Sequence, residues 1–215
     1  MSKIPDEKHP YQLVVEGKEV HVFTNLILRS IDPLEEVRAR LPLIRDAGGI
    51  DRAYKEFRAL VRSRNYSVVG LVIDADDSVQ QRWDSVRGLL QGLGLTAPMV
   101  CPPEGWVQTT EAGVRVGVWV MPNNVDPGKL ETFLAALVPQ EDAVWPWARE
   151  ATEGARSRGA GFPEKDRIKA EVHAWLAWQE EPGKPFGTSV KAGYFRHDAP
   201  EALLWVAWFR RLFLE

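Results

Sequence analysis

Apolar and polar positions switch repeatedly between two periods over the first two thirds of the chain. Tyr11 to Val15 is a short β-prone run ending at Glu16-Gly17. From Lys18 to Arg29 the pattern turns helical, with Val20, Phe23, Leu26 and Ile27 on one stripe. Pro33 and Pro42 punctuate the next stretch, and Gly48-Gly49 marks a tight turn. A helix is predicted from Asp51, read as its N-cap, to about Arg64, with Tyr54, Phe57, Leu60 and Val61 apolar. Tyr66 to Ile73 is almost wholly apolar, as a central parallel strand is. It stops at Asp74-Ala75-Asp76-Asp77, and Ser78 begins a helix that closes near Gly92 or Gly94. Pro98 to Thr110 reads as a loop with a short strand, Val114 to Met121 as a strand stopped by Pro122-Asn123-Asn124, and Gly128 to Leu137 as a short amphipathic helix.

Beyond Pro139 the pattern is helical: about Glu141 to Ala155, Glu164 to Gln179 and Pro200 to Leu214, the last two separated by Pro182-Gly183-Lys184-Pro185. Strand–helix alternation followed by helices predicts an α/β fold. The expected architecture is a mostly parallel sheet flanked by helices over residues 11–138. A helical C-terminal region, residues 139–215, belongs to the same domain because no long linker intervenes. Of nine tryptophans only Trp83 precedes residue 100. Trp175 and Trp178 stand three residues apart, as do Trp205 and Trp208, which predicts core packing of the C-terminal part. The sharper alternative, base-stacking platforms, needs exposed rings in a basic groove.

Composition narrows the class. With 45% apolar and 27% charged residues in 215, this is the balance of a globular protein able to bury its own core. One cysteine, Cys101, excludes an intramolecular disulfide and a multi-cysteine zinc site, and fits a reducing, cytoplasmic setting. Met1 to Pro10 is polar without the apolar run of a secretory signal. No apolar run is long enough to span a bilayer, neither Val68 to Ile73 nor Ala202 to Phe209, so no membrane association is expected. Lys and Arg total 27 against 30 Asp and Glu, a net charge of −3, which excludes coating nucleic acid by bulk charge. A local basic face is required instead. Arg52, Lys55, Arg58, Arg62 and Arg64, opposed only by Asp51 and Glu56, supply one candidate; a solvated helix face has the same pattern.

Acids at strand ends carry the chemistry. Asp74 terminates the central strand and Asp76 follows two residues on, so an extended segment aims both to one side. The carboxyl ends of strands in an open α/β sheet are where ligands sit. Adjacent carboxylates there repel unless a cation neutralises them, and oxygen-only ligands favour Mg²⁺ or Mn²⁺. The plainer reading is that Asp74 and Asp76 cap the following helix, with Asp77 and Ser78 as alternates. Glu16 stands in the same place after the first strand, and Glu131 comes just beyond another; each is otherwise an ordinary surface glutamate. His9, His21, His173 and His197 form no zinc-hydrolase spacing, and His173 on its apolar stripe suggests packing. Phosphate-loop and Gly-x-Ser-x-Gly patterns are absent, so ATPase and serine-hydrolase readings fall.

Glu-Gly after the first strand with Asp-x-Asp after a later one resembles the Toprim pattern of topoisomerases, primases and recombination nucleases. The fuller match runs through Val15-Glu16-Gly17-Lys18, Ala47-Gly48-Gly49-Ile50, Val72-Ile73-Asp74-Ala75-Asp76 and Gly117 to Asn124. It continues with Gly128-Lys129-Leu130-Glu131 and with Lys169 through His173 to Gln179. Together these look like small standalone Toprim-like proteins of unknown function, similar to the Toprim half of the OLD (overcoming lysogenisation defect) nucleases. The resemblance implies that Glu16, Asp74 and Asp76 hold a first metal and Glu131 a second. One departure stands out: Toprim proteins commonly place an Asp a few residues after Glu-Gly, where this chain offers only Glu19. Such a site suits phosphodiester hydrolysis of nucleic acid, with Glu16 as a base and Lys169 or Lys191 stabilising charge on phosphorus. OLD nucleases carry an ATPase half that is not visible in this chain. The alternative is therefore a non-catalytic interaction subunit working with a separate ATPase.

Overall fold

The computed structural model of the chain describes residues 9–17, 20–32 and 34–215. Its strands are β1 (Tyr11–Val15), β2 (Leu43–Asp46), β3 (Val68–Asp74), β4 (Trp106–Thr109) and β5 (Arg115–Met121). They form one sheet in the order β2-β1-β3-β5-β4, with the first four of that row parallel and β4 antiparallel at the edge. The helices are α1 (Val20–Ser30), α2 (Leu34–Val37), α3 (Ile50–Ser63), α4 (Val79–Gln91) and α5 (Leu130–Ala136), followed by α6 (Val144–Ser157), α7 (Arg167–Leu176), α8 (Phe186–Ala192) and α9 (Pro200–Phe213). The predicted α/β class, a mostly parallel sheet flanked by helices, is the fold observed. No helix among the described residues is long and apolar enough to cross a membrane.

Strand alternation divides the interior into two cores. Val69, Leu71 and Ile73 of β3, with Val116, Val118 and Val120 of β5, pack against α3 and α4. Val68 and Val72, with Trp119 and Met121, face the other way, toward α1, α5 and α9. Covered on both faces, β3 has no position left for a solvated side chain before Asp74, which is why its sequence is continuously apolar.

Helix α9 lies on the sheet over a pair of glycines. Gly70 and Gly117 are opposite one another in the β3–β5 register. A Cβ at Gly117 would come within 2.6 Å of Leu212 Cδ2, and one at Gly70 within 2.7 Å of Leu13 Cδ1. The missing side chains open the groove that Leu212 fills. Around it the rings interlock: Trp205 stacks on Phe23 with centroids 5.0 Å apart, and Trp208 meets Trp119 at 5.8 Å. The indole N–H of Trp208 donates to the carbonyl of Trp106 at 3.3 Å. The C-terminal helix therefore packs on the sheet through its tryptophans.

Several local expectations need correction. Trp178 is 45% exposed and Trp147 56%, unlike Trp175, Trp205 and Trp208. Helix α7 stops at Leu176, so the three-residue spacing from Trp175 to Trp178 no longer keeps the rings on one face. Asp51 is not an N-cap: α3 begins at Ile50 after Gly49. The basic run is also shorter on the helix than expected, because Arg64 is the left-handed residue that ends it, at φ 56°. His173 does pack, stacking on Phe186 at 4.7 Å, but from an exposed position. Three unpredicted elements are short: α2 has four residues, β2 is a half-exposed edge strand, and α8 has only seven residues.

Replacing Gly117 by Ala should force Leu212 off its seat and cost about 1–3 kcal/mol, seen as a lowered thermal midpoint. Adding Leu212→Ala to Gly117→Ala should cost clearly less than the two single changes combined. Simple additivity in thermal scans would show that the contact is not shared.

Candidate functional site

The parallel pairing of β1 with β3 brings the chain segments after both strands to one edge of the sheet. Glu16 follows β1 directly; its backbone N–H donates to Val72 O at 3.1 Å, and its carbonyl accepts from Gly49 N–H at 2.7 Å. Held so, its carboxylate Oε2 accepts the backbone N–H of Asp74 at 3.1 Å. Asp74 Oδ1 in turn accepts the N–H of Leu130, the first residue of α5, at 3.0 Å. One carboxylate thus sits at the end of β3, and the other tethers the start of α5.

Asp76 is pinned more heavily. Its backbone turns left-handed, φ 53°, and exchanges two hydrogen bonds with Gly128, at 3.0 and 2.8 Å. Its Oδ1 meets the Lys129 ammonium at 3.0 Å, and its Oδ2 meets the Arg82 guanidinium from α4. The loop carrying Gly128 and Lys129 is itself anchored. Buried Asn124 accepts Val120 N–H through Oδ1 at 2.7 Å and donates to Pro103 O at 3.2 Å, while Asn123 Oδ1 accepts Asp126 N–H at 2.9 Å.

Asp74, Asp76, Lys129, Glu131, Lys165 and Lys169 line an open cleft of about 620 Å³ between this edge and the start of α7. Across it Lys169 Nζ lies 3.1 Å from Glu131 Oε1. Four residues singled out in the sequence, Asp74, Asp76, Glu131 and Lys169, therefore share one cleft, and Glu16 adjoins it through Asp74. Lys191 does not line the cleft; it sits on α8, where its carbonyl accepts a hydrogen bond from Arg29 at 3.2 Å. Glu19 lies outside the described residues. Neither Asp74 nor Asp76 caps α4; the alternate Ser78 does, its hydroxyl accepting Gln81 N–H at 3.3 Å. The extended Asp-x-Asp geometry also fails, since the chain turns at Asp76; the two side chains reach one cleft because Gly128 holds that turn. Among the described residues, no three Asp, Glu, His or Cys side chains close on a common point that would hold an ion.

Arg82, Lys129 and Lys165 were not among the sequence candidates, although Lys129 stands two residues before Glu131. Arg82 is six residues past Asp76, and only the left-handed turn brings it back onto that carboxylate. With the geometry in place, comparison with known proteins finds one family, DUF3226, described as a protein of unknown function, matching residues 10–214. The chain belongs to DUF3226. No curated protein and no solved structure matches it.

Electrostatics in this DUF3226 chain follow from partial burial of the edge. Desolvation raises the Glu16 pKa from 4.5, and the Asp76 charge adds to it; the Asp74 N–H, Arg82 and Lys129 oppose it. Its hydrogen bond to Asp76 raises Lys129, fixing that ammonium in the charged state. Burial raises the Tyr54 phenol, which lies beside the Arg82 guanidinium. Cys101 is a packing residue: burial pushes its thiol up to about 12, and its Sγ is 3.8 Å from Asn124 Oδ1.

A carboxyl whose folded pKa is raised binds its proton more tightly when folded. The stability it contributes is complete below 4.5 and is lost as pH rises through the higher folded value. Glu16→Gln keeps an oxygen acceptor for Asp74 N–H and removes the titration. Thermal midpoints of wild type and Glu16→Gln should diverge as pH rises from 4.5 to 8, the variant becoming the more stable. Parallel curves would contradict the buried, raised carboxyl.

Proposed function

We propose that this chain is Toprim-like, similar to the Toprim half of OLD nucleases, and hydrolyses phosphodiester bonds of nucleic acid with Mg²⁺ or Mn²⁺ in the cytoplasm. The observation that carries the reading is the placing of Glu16 and Asp74 at the carboxyl ends of neighbouring parallel strands. Asp76 and Glu131 share the adjoining cleft. The donors are carboxylate oxygens alone, which suits a hard divalent ion. Arg82 and Lys129 stand as protein cations against Asp76, so an ion bound at this edge would compete with them for that carboxylate. On this reading Glu16, Asp74 and Asp76, whose carboxylates do not converge on one point as they stand, would close together to hold the first ion, and Glu131 would hold a second. When bound, the ion supplies water activation and polarises the phosphoryl oxygen.

The chain's own residues supply the rest. Glu16, its proton affinity raised by burial, is placed to accept a proton from water at this edge. Lys169, now paired with Glu131, presents a half-exposed ammonium to the cleft, where phosphoryl oxygens can compete for it. Arg82, which lies beside Tyr54, keeps the Asp76 carboxylate oriented. The second reading, a non-catalytic subunit serving a separate ATPase, is favoured by one observation: both Asp76 oxygens are already occupied by protein cations.

Mg²⁺- or Mn²⁺-dependent cleavage or nicking of DNA or RNA should fall by about 100-fold or more in Asp74→Asn, which keeps the acceptor for Leu130 but loses the charge. Equal residual cleavage by both proteins marks a contaminant and leaves the interaction subunit. If neither cuts, but Mg²⁺ raises the melting point of wild type alone, the site binds metal without chemistry and the partner reading stands.

Lys129→Met provides a separate check, because it removes a cation that competes for Asp76. Calorimetric titration should show Mn²⁺ bound several-fold more tightly by the variant. Weaker binding would make Lys129 a supporting residue of the site instead of a competitor.

A further inference from the structure

We propose that the outer face of α3 docks duplex DNA by its phosphate backbone and leads it to the carboxylate edge. The inference rests on the nucleic-acid reading above and names the partner surface for it. Arg52, Lys55, Arg58 and Arg62 are all exposed on this helix, spaced so that they project from one side. No ion pair joins any of them to a carboxylate among the described residues: Glu56 is taken by Arg45 at 3.5 Å, and exposed Asp51, the one other acid of the helix, stands at its first turn beside Arg52 without pairing to the row. Arg62 additionally donates to Gly92 O at 3.2 Å, which braces the far end of the row against α4. A row of unpaired cations in a chain of net charge −3 is a segregated charge, and it complements a polyanion.

The row is continuous with the candidate site. Helix α3 starts at the turn whose Gly49 N–H donates to the Glu16 carbonyl at 2.7 Å, and Tyr54 of the same helix reaches Arg82. Arg52 therefore stands near the carboxylate edge, and Lys55, Arg58 and Arg62 lead away from it. The form of the polyanion follows from what the face lacks. Its exposed positions carry no aromatic side chain on which unpaired bases could stack, which argues against a single strand. From Arg52 to Arg62 the row is about 15 Å long. That length lets cations at its two ends reach phosphates on both sides of a B-form major groove, about 12 Å wide. The deep, narrow major groove of A-form RNA offers no such seat. Contacts of this kind are indifferent to sequence.

The test is fluorescence-anisotropy binding of a labelled 24-base-pair DNA to the whole chain in EDTA, where no cleavage occurs. Wild type, Asp74→Asn and the triple variant Arg52→Gln/Lys55→Gln/Arg58→Gln are compared across salt concentrations. The triple variant should bind at least about tenfold more weakly at low salt, with its log–log salt slope reduced by about 2–3. Its melting point should stay within a few degrees of wild type, since all three side chains are exposed. Asp74→Asn should bind no more weakly than wild type, since it only removes a negative charge at the edge. Unchanged affinity and slope in the triple variant would overturn the proposal, as would failure of wild type to bind duplex DNA at low salt. Equal or tighter binding of duplex RNA, a single strand or polyglutamate of matched length would also overturn it, the last pointing to an acidic protein partner. None of these outcomes depends on hydrolysis: the cleavage assay with Asp74→Asn can fail while docking holds, and docking can fail while cleavage holds.

Discussion

Parallel pairing of β1, β3 and β5 is the constraint on which the rest of this molecule depends. Parallel neighbours must be joined by crossovers, and here helices make those crossovers on both faces of the sheet. Two consequences follow. β3 and β5 are apolar between their ends and β1 keeps one buried polar residue, Gln12, while the polar residues that follow these strands are delivered to a single edge. Glu16 and Asp74 meet because their strands are adjacent, although 58 residues separate them in the chain.

The edge is built as a ring of mutual support. Asp74 accepts the first N–H of α5, the turn at Asp76 exchanges hydrogen bonds with Gly128, and Lys129 closes onto the Asp76 carboxylate. Each link ties the end of β3 to the loop after β5. A left-handed backbone at an aspartate carries a conformational cost, and such residues persist where surrounding contacts over-determine them. Asp76 has two backbone hydrogen bonds to Gly128 and two cationic partners to do so. The same contacts that settle its geometry also meet its charge, which gives the interaction-subunit reading its footing beside the hydrolytic one.

Aromatic packing sets the other half of the molecule. The indole N–H groups of Trp119 and Trp205 are buried without an acceptor among the described residues, so both rings are there for area and shape. Close approach depends on small residues at chosen points. Gly70 and Gly117 admit α9 to the sheet, and Gly187 admits α8 to α1, where a side chain would run into His21. A glycine within a seven-residue helix weakens its local signal, and that is why α8 was invisible to periodicity. Edge strand β2, four residues long and half exposed, was hidden for a related reason: its pattern carries neither a buried run nor a clean alternation.

Periodicity and strand-end acids were enough to determine the α/β class, most element positions and the presence of carboxylates at Glu16, Asp74, Asp76 and Glu131 near strand ends, because burial on two faces imprints itself directly on residue choice. They also marked the basic run of α3, since helical spacing shows in the sequence which charges share a side. Only the tertiary structure decided which of these groups meet. Strand order made Glu16 a neighbour of Asp74, the turn at Asp76 brought Arg82 and Lys129 onto one carboxylate, and α7 carried Lys169 to Glu131. It also sent Trp178 to the surface and Lys191 away from the cleft. Contacts between residues distant in the chain leave no local period, so they could be read only after the sheet and its helices were assembled.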